Sequence, residues 1–317
     1  MKKNKEHKKQ HPQSKKQVAK NVKPERWKFI GALFIIILIS FIAYAPALQN
    51  GFVWDDDDYV RNNLLIQSID LKEIFSQSLM GNYHPLTILV YSFEYHFFGL
   101  KESGYHAINL IFHFLNIILV FYAVYLLCEK FPVALVASLL FGIHPIHVES
   151  VAWVSELKDL LYTFFFLSAY IYYLKYLKDR QKIFYFYSLL FLLLSLLSKA
   201  MAASFPLVLI LTDYFKGNKI NTKTLLEKIP FFALSLILGV VAVYAQKETG
   251  ATDITVFPFP QRIVFACYGF IAYLLKLVLP LQLCAYYAYP IKTGSEVPPQ
   301  YYFYVLLLLW IFAYFFY

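Results

Sequence analysis

The sequence predicts an all-α, multi-pass membrane protein, a multi-helix bundle of about nine spans. Of its 317 residues, 59% are hydrophobic and only 15% are charged. Apolar stretches long enough to cross about 30 Å of hydrocarbon recur along the chain. Each should be helical, because a backbone that faces lipid has to satisfy its own hydrogen bonds. The predicted spans are residues 29–48, 106–127, 131–147, 159–177, 182–198, 200–215, 229–246, 262–280 and 301–317.

Residues 1–28 form a basic tail ahead of the first span, with many Lys and Arg residues against only Glu6 and Glu25. This composition predicts disorder. A basic tail can bind nucleic acid, but before a membrane span it is more typical of a cytoplasmic orientation signal that also touches anionic lipid. We therefore expect membrane lipids and no nucleic acid as partners, and we assign residues 29–317 to one transmembrane domain.

A cytoplasmic N-terminus sets the side of every later loop. Residues 49–105 and 148–158 then lie outside, while the lysine-rich breaks at 175–182 and 216–228 lie inside, as the positive-inside rule requires. The same alternation puts residues 281–300 inside, although that segment has only one Lys and one Glu. A surface-lying segment before it would reverse its side.

The first outer loop, residues 49–105, carries four consecutive carboxylates, Asp55 to Asp58. Such a run beside a bilayer is unfavourable unless it is solvated or used, so it points to chemistry at the membrane surface. Apolar residues between Leu64 and Leu79 predict short amphipathic helices along the bilayer, and an ordinary packed outer subdomain accounts for them equally well. Carboxylate oxygens suit Mg²⁺ or Mn²⁺, but nothing requires a metal, and no other cofactor is indicated.

The second predicted span carries a polar stripe, because residues three or four apart share one helix face. The stripe must face protein or water. Its outer members, His106 and Asn109, are candidates to line a site. Hydrogen bonding between helices is the alternative use, above all for His113 and Asn116, which lie deeper.

A second polar cluster follows at His144, His147 and Glu149, shortly before Lys158. Two histidines and a carboxylate suggest zinc, but the spacing is not that of a zinc helix and Pro145 disfavours a regular helical pair. Orientation of a substrate or of the main carboxylate is the better interpretation. A network of satisfied polar groups at the interface is the alternative.

Four motifs occur in a fixed order along the chain. They are Asn50-Gly51-Phe52-Val53-Trp54-Asp55-Asp56, Tyr83-His84-Pro85-Leu86-Thr87, Tyr105-His106-Ala107-Ile108-Asn109-Leu110, and His144-Pro145-Ile146-His147-Val148-Glu149 with its continuation to Asp159. Together they resemble the membrane domain of bacterial tetratricopeptide-repeat membrane proteins, which are similar to the animal transmembrane O-mannosyltransferases that carry such repeats. The likeness continues through Ser198-Lys199, Arg262 and Tyr289-Pro290.

This resemblance implies the GT-C glycosyltransferase architecture, in which an acidic motif in the first outer loop serves sugar transfer. The implied donor is a lipid-linked sugar, a polyprenyl-phosphate hexose such as mannose. The acceptor is a hydroxyl on a protein or glycan, and the implied location is the bacterial inner membrane. The repeats, which would bind the acceptor, are absent before Tyr317, so a truncated product, a fragment or a form that uses a separate partner is expected.

Such a transfer needs a carboxylate for the acceptor hydroxyl and cations for the departing phosphate. Asp55 or Asp56 is the candidate catalytic carboxylate, and Lys158 is the leading candidate for the donor phosphate. The other candidates for donor or substrate binding are His84, His106, Asn109, His144, His147, Glu149, Lys199 and Arg262. A Lys or Arg near a helix end is explained equally well by its tendency to extend its charged group to the membrane surface.

Leu157 departs from the resemblance, because bacterial relatives usually have Arg at this position. We expect that Leu157→Arg leaves activity unchanged or raises it, since an added cation would pair with the donor phosphate.

Two other functions are alternatives to glycosyl transfer. A transporter would place ionisable groups near the middle of its spans, whereas here they gather at the outer ends. A catalytically idle membrane scaffold, or a fragment of a repeat-bearing membrane protein, is the alternative to glycosyl transfer.

Overall fold

The computed structural model describes residues 26–248, 257–289, 291 and 295–316. Across this part of the chain there are helices and loops and no strand, only an isolated bridge between Leu79 and Asn82. The predicted all-α class is therefore confirmed. Its α-helices in chain order are α1 (Arg26–Tyr44), α2 (Leu71–Ser76), α3 (Pro85–Phe98), α4 (Glu102–Cys128), α5 (Phe131–Ile143), α6 (Val148–Ala152), α7 (Leu157–Asp179), α8 (Lys182–Ser198), α9 (Phe205–Phe215), α10 (Thr222–Leu226), α11 (Ile229–Glu248), α12 (Phe259–Val278) and α13 (Tyr302–Phe316).

Among the described residues, five helices are long and apolar enough to cross a membrane, and a bent pair would make a sixth. The five are Trp27–Gln49, Glu102–Cys128, Val154–Asp179, Thr222–Lys247 and Phe259–Val278. The apolar helices Lys182–Ser198, Ala200–Phe215 and Pro299–Tyr314 are shorter. The multi-pass class is confirmed, whereas the predicted count of about nine is not.

The predicted span at residues 131–147 is wrong as a single helix. The chain bends by 49° between Phe131–Ile143 and Pro145–Ala152. Pro145 is the cause, because it has no N–H to donate and its ring pushes the preceding residue out of the helical region. His144 accordingly has an extended backbone, with φ −68° and ψ 127°.

The predicted tail at residues 1–28 falls mostly outside the described residues. Arg26, Trp27 and Lys28 already belong to the first turn of α1, so its start precedes the predicted boundary.

The two ends of the bundle differ in charge. We call the end that carries Asp55 to Asp58 the acidic end. The opposite end, where α4 and α7 finish and α8 begins, carries Lys130, Lys175, Lys178 and Lys216, and we call it the lysine end. At the lysine end a buried ion pair between Asp213 and Lys228 joins the end of α9 to the start of α11.

The first outer loop is folded onto the bundle. Its buried residues Tyr59, Ile66, Ile74 and Tyr91 form one apolar core with Leu157 at the start of α7. Leu64, Leu71 and Phe75 point away and are exposed. Both interpretations of this loop therefore hold in part: one face packs as a subdomain, and the other face is apolar and open. The loop also contains α3, a helix of 14 residues that the sequence pattern did not predict.

The polar stripe of α4 faces protein, as predicted. His113 Nε2 lies 3.0 Å from the carbonyl oxygen of Gly142, and Asn116 donates to the carbonyl oxygen of Leu160 at 2.9 Å. These two residues bond helix to helix, which was the alternative use stated for them.

The end of α12 meets the break between α5 and α6, where His144 Nε2 lies 2.9 Å from the carbonyl oxygen of Leu277. His144 lies near the carboxyl end of α1, since its carbonyl oxygen accepts from the hydroxyl of Tyr44 at 3.4 Å. This contact puts the start of the segment 281–300 toward the acidic end, opposite to the side that strict alternation predicts.

We expect Gly142→Val to destabilise the bundle. A Cβ at Gly142 would lie 2.6 Å from Ser40 Oγ of α1 and 3.0 Å from Ile117 Cδ1 of α4. Overpacking of this kind costs about 1–3 kcal/mol. Gly239→Val in α11 is the matched control, because a Cβ there meets nothing within 4 Å. Thermal unfolding in detergent should show a loss for Gly142→Val only, and equal stability of the two variants would contradict this packing.

Candidate active site

Asp56 anchors the acidic loop to the rest of the protein. Its side chain is fully buried, and its two oxygens accept hydrogen bonds from the N–H of Val53 at 2.9 Å and of Ser155 at 2.7 Å. Burial raises the pKa of Asp56, while the bonds from Val53 and Ser155 lower it. The carboxylate is thus used to join two segments that lie far apart in sequence.

Trp153 reinforces the same junction. Its indole N–H donates to the carbonyl oxygen of Val53 at 3.2 Å, and its ring meets Trp54 edge to face at 5.4 Å. Trp54 adopts a left-handed backbone with φ 51°, which a tryptophan rarely does. Strain of this kind persists only where surrounding contacts fix the turn, and here the bonds of Asp56 and Trp153 do so.

The other three aspartates have different environments. Asp57 pairs with Arg61 on the surface at 3.0 Å, and Asp58 is exposed. Asp55 is half-buried, and its carboxylate makes no hydrogen bond or ion pair with the residues that the structure describes. Asp55 and the exposed Asp58 are therefore the two members of the run with open carboxylates, and Asp55 is the half-buried one.

Tyr59 connects Asp55 to a group of charged side chains. Burial raises the pKa of Tyr59 to about 12; a hydrogen bond from Asn82 opposes this rise, and the charges of Asp55 and Glu156 add to it. The ring of Tyr59 lies 4.9 Å from Lys158 Nζ. Tyr59 thus contacts Asp55 through its backbone N–H, which donates to the Asp55 carbonyl oxygen at 2.9 Å, and Lys158 through its ring.

The charged group consists of Glu156, Lys158, Asp159 and Lys199. Lys158 Nζ lies 2.8 Å from Glu156 Oε1 and donates to the carbonyl oxygen of Ser155 at 2.9 Å. Lys199 pairs with Asp159, and its Nζ is 3.5 Å from Glu156 Oε2. Burial alone would lower the pKa of Lys199, but the charges of Asp159 and Glu156 raise it. We call these four residues the charge cluster; it holds two cations and two anions.

His84 lies beside this charge cluster with its ring 5.3 Å from that of Tyr59. Burial lowers its pKa to about 3, and the charges of Lys158 and Lys199 act in the same direction. Its Nε2 is buried and has no hydrogen-bond partner among the described residues. A neutral imidazole held there can donate or accept one hydrogen bond from a bound group.

His106 and Asn109 are both buried on α4. Asn109 Nδ2 donates to the carbonyl oxygen of Trp153 at 3.0 Å and so holds the Trp153 segment in place. Both ring nitrogens of His106 are buried without a hydrogen-bond partner among the described residues, and its place in the site stays a prediction.

The remaining predicted residues are not brought into this group. His144 and His147 contact each other, and His147 packs on Phe141 at 4.7 Å between ring centroids. Glu149 is exposed on α6. Arg262 donates to the carbonyl oxygen of Phe257, within the turn that precedes α12. Among the described residues the two histidines make no hydrogen bond or ring contact with the acidic motif, and their role in substrate binding stays a prediction.

The position of Leu157 in the structure disfavours its replacement by arginine. Its side chain is fully buried in the core formed with Tyr59 and Tyr91. An arginine there would bury an uncompensated charge instead of reaching a phosphate, and this is strongly unfavourable. The expectation that Leu157→Arg leaves activity unchanged is therefore wrong.

Glu156 and Asp159 are site residues that sequence reasoning did not select. Their spacing to Lys158 was visible, but their partner Lys199 lies 40 residues further along the chain from Asp159. No three His, Cys, Asp or Glu side chains within the described residues converge to hold a metal ion. The aspartate run does not fit the proposed Mg²⁺ or Mn²⁺, because Asp56 is occupied by N–H donors and Asp57 by Arg61.

Comparisons with known proteins agree with the motifs. The chain is 29% identical over 276 residues to a protein O-mannosyl-transferase of Caenorhabditis elegans, which covers 81% of this chain and 39% of that relative. It is 34% identical over 150 residues to human protein O-mannosyl-transferase TMTC3, covering 44% of this chain and 16% of that relative. For mouse TMTC4 the identity is 28% over 193 residues, covering 51% and 25%.

The chain thus spans well under half the length of these curated relatives. Its predicted resemblance to the transmembrane O-mannosyltransferases is confirmed. No protein-family model matches, and no solved structure matches. The GT-C architecture and the bacterial origin stay predictions.

We expect His84 to make stability depend on pH. Its folded pKa of about 3 lies below the unfolded value of 6.5. The stabilisation is therefore complete above the unfolded pKa and is lost as pH falls toward the folded one. Between about pH 7.5 and pH 5 the loss should be ~2 kcal/mol. Denaturant unfolding of the parent and of His84→Asn at both pH values measures the difference. His96→Asn, at an exposed position on α3, should keep the loss, and an unchanged loss in His84→Asn would refute the assignment.

Proposed function

We propose that this chain is the membrane domain of a glycosyltransferase that moves mannose or a related hexose from a polyprenyl-phosphate donor to a hydroxyl acceptor on protein. The reaction would occur at the acidic end, which we assign to the non-cytoplasmic face. In this proposal Asp55 is the catalytic base, and Asp56 is a positioning residue. Lys158 and Lys199 bind the donor phosphate, with His84 beside them.

One observation carries the proposal: the bonds of Asp56 to Val53 and Ser155 hold the acidic run against the segment that begins the charge cluster. Tyr59 links the two, because its N–H donates to the backbone carbonyl oxygen of Asp55 at 2.9 Å and its ring lies 4.9 Å from Lys158 Nζ. A base and a cation close together are what transfer from a sugar phosphate needs. The curated relatives, whose names describe protein O-mannosyl transfer, support this chemistry.

In the transfer step Asp55 accepts the proton of the acceptor hydroxyl. The hydroxyl oxygen forms a bond to the anomeric carbon, while the bond from that carbon to the phosphate oxygen breaks. The electron pair leaves with the polyprenyl phosphate, which gains one negative charge. Asp55 suits the base because its oxygens are not already accepting hydrogen bonds from the described residues.

Lys158 and Lys199 would stabilise the charge that develops on the phosphate. A buried cation acts strongly on such charge because little water screens it. Each lysine is already paired with a carboxylate, so the donor phosphate would compete with Glu156 for them. A neutral His84 can donate a hydrogen bond to the same phosphate without adding a charge.

Glycosyl transfer can be tested directly with radiolabelled polyprenyl-phosphate mannose and membranes that contain the chain. Label that remains in protein after lipid extraction supports the proposal. A catalytically idle scaffold would give no labelled protein with either a dolichyl or a bacterial-length polyprenyl donor, beyond membranes that lack the chain.

We expect Asp55→Asn to lower the transfer rate roughly a hundredfold or more, because an amide cannot accept the proton. Asp58→Asn is the matched control, since it removes the same charge from the exposed end of the same run. Initial rates at equal membrane abundance measure the effect. Full activity in Asp55→Asn would rule out this residue as the base.

We expect Lys158→Gln to lower kcat by about a hundredfold, because it removes a cation that acts on the leaving phosphate. KM for the donor should change less, since Lys199 remains to bind the ground-state phosphate. Lys72→Gln, at an exposed position on α2, is the charge-matched control. Unchanged kinetics in Lys158→Gln would move the phosphate role to Lys199.

A further inference from the structure

A cavity of about 1010 Å³ lies at the lysine end, away from the charge cluster. It is formed by the end of α4, the start of α5, the last turns of α7 and the segment after α9. Its polar lining includes Lys130, Lys175, Lys178, Lys216 and Glu129, and its apolar lining includes Leu126 and Val133. The volume is at the upper end of the range of ligand sites, about 300–1,000 Å³.

The four lysines around this cavity lack carboxylate partners. None of them forms an ion pair with another described residue, whereas Lys158, Lys199 and Lys228 all do. Glu129 is the lone carboxylate in the cavity lining. Cations gathered around a concave surface repel one another, and an anion in the middle would relieve that repulsion.

Two of these lysines already have contacts that explain their positions. Lys216 donates to the carbonyl oxygen of Leu126 at the end of α4, and Lys175 lies over the rings of Tyr122 and Tyr172 at 5.4 Å and 5.0 Å. Neither explanation covers Lys178 or Lys130.

Lys130 is unexpected at its position. It is the N-cap residue of α5, and no side chain caps that helix. A helix N-terminus carries partial positive charge, so a cation there is disfavoured and an anion is favoured. A bound anion would be stabilised by both the lysine and the free N–H groups.

An apolar track leads from the cavity along the outside of α5. Val133 lines the cavity and is 43% exposed, and Val136 and Leu140 follow it on the same helix face at 53% and 56% exposure. Residues at this spacing form one continuous stripe. A hydrocarbon chain on this stripe would leave its head group at the lysines.

We propose that this cavity binds an anionic phospholipid, with the phosphate among Lys130, Lys178 and Lys216 and a hydrocarbon chain along Val133, Val136 and Leu140. Basic pockets between helices suit lipid phosphates in this way. The site lies at the end opposite to the acidic motif and does not depend on the proposed glycosyl transfer.

Native mass spectrometry of the purified chain, titrated with phosphatidylglycerol, tests the assignment. Retained phosphatidylglycerol should fall about tenfold or more in Lys130→Gln/Lys178→Gln. The control is Lys72→Gln/Lys101→Gln, which removes two exposed lysines near the acidic end. Equal retention in the two double variants would overturn the proposal.

Two further arms separate a lipid from other ligands and from a folding defect. Val133→Trp keeps every charge but fills the mouth of the cavity, so it should also lose phosphatidylglycerol while thermal unfolding without lipid stays unchanged. Phosphatidylcholine and inorganic phosphate should not compete. Full displacement by inorganic phosphate, or equal retention of phosphatidylcholine, would overturn the assignment to an anionic lipid held by both its charge and its chains.

Discussion

The two hydrogen bonds of the Asp56 carboxylate are the interaction on which the rest of the site depends. A buried carboxylate is strongly unfavourable unless donors satisfy it, and here the N–H groups of Val53 and Ser155 do so. Ser155 lies 99 residues from Asp56 along the chain. Its bond to the carboxylate therefore fixes the acidic loop against the start of α7. Trp153 and Asn109 then hold the same junction from the other side.

The lysines of the charge cluster and those around the cavity at the lysine end differ in whether they have carboxylate partners. At the acidic end Lys158 is buried and Lys199 is partly buried, and they pair with Glu156 and Asp159, so this cluster is electrically balanced before any ligand binds. At the lysine end the cations around the cavity face a single carboxylate, Glu129. Burial explains the difference, because a buried cation needs a partner, whereas a cation near the interface can reach water or lipid phosphate.

Local patterns predicted much of this molecule, and long-range pairing accounts for most of what they missed. The stripe of His106 and Asn109 could be read from helical periodicity, and the acidic run from its composition. The pairing of Lys199 with Asp159 depends on how α7 and α8 pack, which no local pattern contains. The contact of His144 with Leu277 at the end of α12 is likewise long-range, and a local motif that contains Pro145 gives no direction to the bent segment.

The balance of the charge cluster constrains how a phosphate could enter it. A donor phosphodiester brings one negative charge to two lysines that already have two carboxylates, so one carboxylate has to yield a lysine or take up a proton. Glu156 is better suited to this than Asp159. It is shared between Lys158 and Lys199 at 2.8 Å and 3.5 Å, whereas Asp159 also accepts a bond from Ser150 at 3.1 Å. A shift of Glu156 would leave Lys158 unpaired and Lys199 paired with Asp159 alone, so the departing phosphate would meet one unpaired cation. The charge cluster is neutral before a ligand binds. Its ion pairs therefore also identify Glu156 as the carboxylate that would have to move when a phosphate enters.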